Sequence, residues 1–158
     1  MRARSVPLPI REQRAKPARD DKIVCAWNAL AIDAMARAAC VFGRPEWLDS
    51  AVRAADLLTA VHLVSDTWLV RVSQSGVVAD LAPGTLEDYS LLALAYTTLA
   101  QATGESEWLE LALSMIHLVQ SEFVIDDELK DTSERVLQQL GLSEHFVDVT
   151  DKIGRAHV

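Results

Sequence analysis

Apolar residues run along this chain in two alternating styles. From 27 to 41 Ala and Leu dominate and few charges fall on any face, the pattern of a helix buried all round. From 46 to 62, Trp47, Leu48, Ala51, Val52, Ala55 and Leu58 make one apolar stripe with Asp49, Arg53 and Asp56 opposite. That spacing predicts a helix covered on one side only. The contrast then returns, with 89–102 nearly uncharged and 107–122 amphipathic. The two halves match without gaps over 27–63 and 88–124, at an offset of 61 residues. Gly43 and Gly104 share a place in this register, as do Trp47 and Trp108, Leu30 and Leu91, and Ala34 and Ala95.

One unit therefore reads as inner helix, glycine turn, outer helix, and a repeated inner/outer hairpin is the signature of an α/α toroid or solenoid. The period is too long for the roughly 34-residue or 40–47-residue helical repeats. The excess lies between the units, where 67–72 and 76–79 alternate around Ser73-Gln74-Ser75-Gly76 and predict a short β-hairpin. The expected fold is all-α: about two hairpins of an α/α-hairpin toroid with a short β-hairpin insert. Its expected divisions are an extension over 1–23, the two hairpins over 24–125, a truncated irregular segment over 126–152, and 153–158. Those last six residues read as the translation of a common sequencing adapter, so the frame is expected to be a fragment cut at both ends. Flanks left without a neighbouring hairpin are expected to make it self-associate.

Charge and cysteine content narrow the partners. A formal charge of −8 and a pI near 4.9 exclude nucleic acid and anionic membranes as expected partners, since both are met by clustered Lys and Arg. Charges break the apolar stretches before about 18 residues, so no membrane span is expected. The N-terminus lacks an apolar signal core, and a cytoplasmic location follows as the expectation. Cys25 and Cys40 would lie about 22 Å apart on one helix, too far to bridge. Without a Cys-x-x-Cys pair or a Cys/His cluster, no metal and no cofactor are expected.

Two stretches carry a resemblance. The first is Leu8-x-x-Arg11-x-x-Arg14-x-x-Pro17-x-Arg19-Asp20-Asp21-Lys22, followed by Trp27-Asn28-x-Leu30. The second is Leu86-Glu87-Asp88-Tyr89, an apolar helix, and Thr103-Gly104-x-x-x-Trp108-Leu109. In this order and spacing they resemble the helical part of the thioredoxin-domain-containing, spermatogenesis-associated type of protein, over residues 8–123. Ala29 stands where that family reads Gly. Lys130-Asp131-Thr132 and the stretch from Asp148 to Asp151 are fainter echoes, with Lys152 where Asn is the family residue. The resemblance implies a six-hairpin glycosidase-like toroid, related in shape to N-acylglucosamine 2-epimerases, with a thioredoxin-like domain upstream.

The candidate site follows from the repeat, because residues at the starts of the two inner helices point to one end of the ring. Glu87 and Asp88 are the candidate catalytic carboxylates; glycoside hydrolysis needs two carboxyl groups about 5 to 9.5 Å apart. Asp21, Lys22, Trp27, Asn28, Arg71 and Tyr89 are the candidate substrate-binding residues, an indole beside an amide suiting a pyranose. Each also has a structural reading: Asp20 or Asp21 as a helix cap, Trp27 as a core wedge, Thr85-x-x-Asp88 as a capping box, Arg71 as a solvated side chain. His62 and His117 fall late on the outer helices, away from where an epimerase base is needed. The expected function is thus a fragment of a carbohydrate-enzyme-like toroid, acting on a sugar-like small molecule in a longer parent and inactive alone. The alternative is a non-catalytic helical-hairpin interaction module.

Overall fold

Two helices of equal length begin and end in the predicted register: α1 over Cys25–Phe42 and α3 over Leu86–Thr103. Each is followed by a tight turn and a partner, α2 over Pro45–His62 and α4 over Ser106–Glu122. The computed structural model describes residues 14, 19–78, 82–125 and 127–139. Both turns depend on glycine. Gly43 (φ 61°) and Gly104 (φ 77°) adopt the left-handed conformation just past the inner helix, and the Gly104 N–H donates to the Ala100 carbonyl at 2.9 Å. A side chain there would strain the turn that sends each hairpin back on itself.

The packing order is that of stacked hairpins. α1 lies against α2 and α3, α3 lies against α1 and α4, and α2 touches α3 more lightly. The shared core holds Ile32, Leu58, Leu92, Tyr96, Leu99 and Met115, all essentially sealed from solvent. Small residues let the central pair approach, since Ala26, Ala29 and Ala36 of α1 and Ala95 of α3 are all fully buried. Two polar bridges lock the layers. Thr98 donates to Asp33 Oδ1 (2.6 Å), which also accepts from Arg37 Nε (2.7 Å), tying α3 to α1. The Tyr96 hydroxyl donates to Thr59 Oγ1 (2.6 Å), whose own hydrogen goes to the Ala55 carbonyl, tying α3 to α2.

The connection between hairpins is richer than the single hairpin expected. β2 (Leu63–Ser65) continues α2 and pairs with β3 (Trp68–Leu69); β4 (Val72–Gln74) and β5 (Val77–Val78) form the hairpin at Ser75-Gly76. β1 (Lys22–Val24), directly ahead of α1, adds antiparallel to β4, giving a three-stranded sheet in the order β1-β4-β5. A long-range pairing of this kind leaves no local pattern in so short a strand, because its partner lies across the sequence.

Three further expectations are corrected. α1 is not buried all round, because Trp27, Leu30 and Val41 are exposed while Ala26, Ile32 and Ala39 are covered. Trp47 and Trp108 share a register but not an environment. Trp108 is buried and stacks on Tyr96 (5.6 Å between ring centroids), whereas Trp47 is half-exposed beside Phe42 and Arg44. The cause is the neighbour: α3 supplies Tyr96 where α1 supplies Met35. Residues 127–139 are not irregular. They supply β7 (Glu128–Leu129), which pairs with β6 (Val124–Ile125), and a short α5 (Glu134–Gln139), whose Val136 and Leu137 are buried and whose Arg135 binds Glu122 at 2.7 Å. The expectations for 140–152 and 153–158 lie outside the described residues, as does most of 1–18.

By length and composition α1 is apolar enough to cross a membrane, which the charge interruptions were expected to preclude. Asp33 and Arg37 sit within it and bond to α3, so here it serves as a helix of the packed layer.

Burial makes this core sensitive to alkali. It pushes the Cys25 thiol from 9.0 up to about 12, with the Asp88 carboxylate adding to the rise and Arg71 opposing it. Burial likewise pushes the Tyr96 hydroxyl from 10.0 up to about 12. The unfolded chain loses these protons first, so the stability they represent is intact below about pH 9 and is lost as pH rises toward about 12. Thermal melts from about pH 8 to pH 11 are expected to show a falling Tm, and Cys25→Ala or Tyr96→Phe to flatten that fall.

Candidate functional site at the paired helix starts

Every helix leaves its first N–H groups without internal partners, and α1 begins without a capping side chain of its own. Neither Asp20 nor Asp21 fills that role. Asp20 accepts the Lys22 N–H at 3.3 Å, and Asp21 is paired with Arg19. The acceptors come instead from across the chain. The Cys25 N–H donates to the Arg71 carbonyl (2.9 Å), and the Ala26 N–H donates to Asp88 Oδ1 (3.0 Å).

Asp88 is also the third residue of α3. Its Oδ2 accepts from the Thr85 N–H (2.9 Å) and the Thr85 hydroxyl (3.0 Å), the reciprocal half of the capping box that Thr85-x-x-Asp88 predicts. Arg71 Nη1 reaches the same oxygen at 2.8 Å and Thr85 Oγ1 at 2.7 Å. One carboxylate with no exposed surface therefore receives four donors and lies at the positive ends of two helices. Arg71 extends its second nitrogen to Glu87 Oε2 at 3.2 Å. Burial alone would depress the Arg71 guanidinium, but the Asp88 and Glu87 carboxylates hold it above its ordinary value.

The candidate residues consequently separate. Arg71, Glu87 and Asp88 are brought together, and Trp27 and Asn28 lie in the first turn of α1, which Asp88 caps through the Ala26 N–H. Asp88 is sealed and its oxygens are occupied. Glu87 keeps a half-exposed carboxylate with one guanidinium contact. Trp27 is 66% exposed and wedges into no core, while the Asn28 amide donates to the Val24 carbonyl at 2.9 Å. Lys22 is exposed at the start of β1, and Asp21 is exposed just ahead of it. Tyr89 turns inward: its ring lies 5.2 Å from that of Phe123, and its hydroxyl accepts the Leu69 N–H at 3.0 Å. Among the described residues, no three His, Cys, Asp or Glu side chains form a group able to hold a metal ion.

Two residues outside the candidate set complete the frame. His62 Nδ1 lies 2.7 Å from the Val70 carbonyl, which can only accept, so Nδ1 carries a hydrogen; Nε2 lies 2.9 Å from Ser73 Oγ. Both side chains are about 1% exposed, so this pair clamps the insert to the end of α2 with no route for a substrate. His62 stands in helical register with Ala51, Ala55 and Leu58, which was the available sign that it faces inward.

This geometry separates the two adjacent acids by experiment. Asp88→Asn is expected to cost about 3 kcal/mol, the scale for leaving a buried charge unpaired and setting an amide against N–H donors. Glu87→Gln, at an exposed pair, is expected to change stability by less than about 1 kcal/mol. Urea unfolding of both variants measures the contrast, and equal losses would refute it.

No protein-family model matches the sequence. Spermatogenesis-associated protein 20 of Homo sapiens is 33% identical over 113 residues, covering 66% of this chain and 14% of the relative. The same protein of Rattus norvegicus is 34% identical over 113 residues, with the same coverage. The chain spans about 14% of the length of these curated relatives. Two repeated helical hairpins, the motifs at their starts and this similarity agree: the chain is mainly α with small β-hairpins, and a partial homologue of spermatogenesis-associated protein 20.

Proposed function

We propose that this chain is a framework element, two consecutive units of a helical-hairpin array, and that it carries no chemistry by itself. The observation that carries this reading is the commitment of Asp88. The best-positioned acid of the pair has no exposed surface and accepts four hydrogen bonds from the protein, the arrangement of a keystone. A general acid or nucleophile must be reached by its substrate, and only Glu87 of the two is open to one. Hydrolysis of a glycoside needs a second carboxyl group held opposite, which a larger enclosure would have to supply. In a six-hairpin toroid of the kind the resemblance implies, the helix starts of this unit would form part of the rim facing a sugar-like substrate.

A second reading rests on Trp27. An indole two-thirds exposed, next to Asn28 and in the helix turn whose Ala26 N–H binds Asp88, has the composition of a surface that stacks a sugar ring. The two readings differ in what the isolated chain does. Under the first, aryl glycosides and N-acylated hexosamines are turned over no faster than by Glu87→Gln, and tryptophan fluorescence is unchanged by these sugars. A saturable fluorescence change lost in Trp27→Phe establishes the second, and turnover lost in Glu87→Gln overturns the first.

A further inference from the structure

The repeat makes it possible to ask what each exposed apolar face would be covering if it had a neighbour. α3 turns Leu91 and Ala95 toward α1, on the same side as Asp88, which bonds Ala26, and Thr98, which bonds Asp33. In the register of the repeat, the same positions of α1 are Trp27, Leu30, Ala34 and Arg37. All four are exposed in α1, whereas Asp88 and Ala95 are fully buried in α3 and Leu91 is half-buried.

The opposite flank shows the complementary pattern. On α2, Leu48, Val52 and Ala55 share a face with Thr59, which meets Tyr96 of α3, and all three pack into the core. Their equivalents on α4 are Leu109, Leu113 and Ile116, which are 48%, 47% and 41% exposed. Leu94 of α3, on the face that in α1 meets α3, is likewise 40% exposed. The two uncovered flanks are therefore the two halves of one interface, and that interface is already built once inside the molecule between the first hairpin and the second.

We propose that a second copy of this chain docks its α3–α4 flank on the exposed face of α1, repeating the internal hairpin contact between molecules. The association is head to tail, because the joined faces are different, and each added copy presents a fresh face of either kind. With 15 basic and 23 acidic residues per chain, like charge opposes the contact, so screening strengthens it. This inference is independent of whether the helix starts bind a sugar.

Sedimentation tests it with two variants that each spoil one face, Leu30→Glu on α1 and Leu113→Glu on α4. The wild-type protein is expected to show a weight-average mass that rises with concentration past the dimer, more steeply in added salt. Each variant alone is expected to be monomeric, and an equimolar mixture to form a 1:1 dimer and nothing larger, because each supplies the face the other retains. Both residues are roughly half-exposed, and unchanged helical circular dichroism verifies folding; Leu30→Gln and Leu113→Gln replace them if it does not. A wild-type protein that stays monomeric at all concentrations overturns the proposal. So does a Leu113→Glu variant that still dimerises, which would mean α1 pairing with α1, or a mixture that stays monomeric. Binding of the monomer to neutral phosphatidylcholine vesicles in place of self-association would overturn it in favour of a membrane surface.

Discussion

A carboxylate cannot be buried without donors, and that requirement organises the middle of this protein. Asp88 has no contact with solvent, so its charge has to be met inside, and the partners that meet it come from three separate places in the chain. Ala26 belongs to the start of α1, Thr85 to the start of α3, and Arg71 to the insert between the hairpins. The same contacts satisfy N–H groups at the starts of both helices. Arg71 contributes twice, since its main-chain carbonyl accepts the Cys25 N–H while its guanidinium binds Asp88. The two hairpins are thus indexed to one another at a single end, and the insert is held there by His62 and Ser73.

Repetition of sequence does not mean repetition of environment. Asp88 is equivalent to Trp27, yet one is the most enclosed charge of the described residues and the other an exposed indole. Trp108 is equivalent to Trp47, yet only Trp108 finds an aromatic ring to stack on. In each case the backbone register is shared and the neighbour is not. A stack of hairpins buries an inner helix from both sides only where there is a hairpin on both sides, and α3 has one beside it where α1 presents an open face.

For function, the consequence is that chemistry-bearing residue types at the helix starts act first as structure. Thr85, Arg71, Asp88 and Tyr89 each have their polar atoms engaged by the protein, and Glu87 and Trp27 remain as the groups open to a ligand at this end. The similarity to spermatogenesis-associated protein 20 covers 66% of the chain and 14% of the relative.

How much of this could be read from the residues alone depends on the range of the interaction. Helix periodicity, the 61-residue register, the glycine turns and the Thr85-x-x-Asp88 cap are local, each set by neighbours within one or two helical turns, and they were legible. The grouping of Arg71 with Glu87 and Asp88 was legible as a shared end of the repeat, though not as an ion-paired cap. What the tertiary structure decided were contacts between distant residues. Asp88 caps a helix 62 positions earlier, β1 pairs with β4 across the whole first hairpin, and Arg135 returns to Glu122 to seat α5. Single-residue patterns hold no trace of such partners, because a capping acid or a three-residue strand looks the same whichever element it meets. The exposed face of α1 is the clearest instance: its composition called for burial, and only the arrangement of the helices determined that no part of this chain covers it among the described residues.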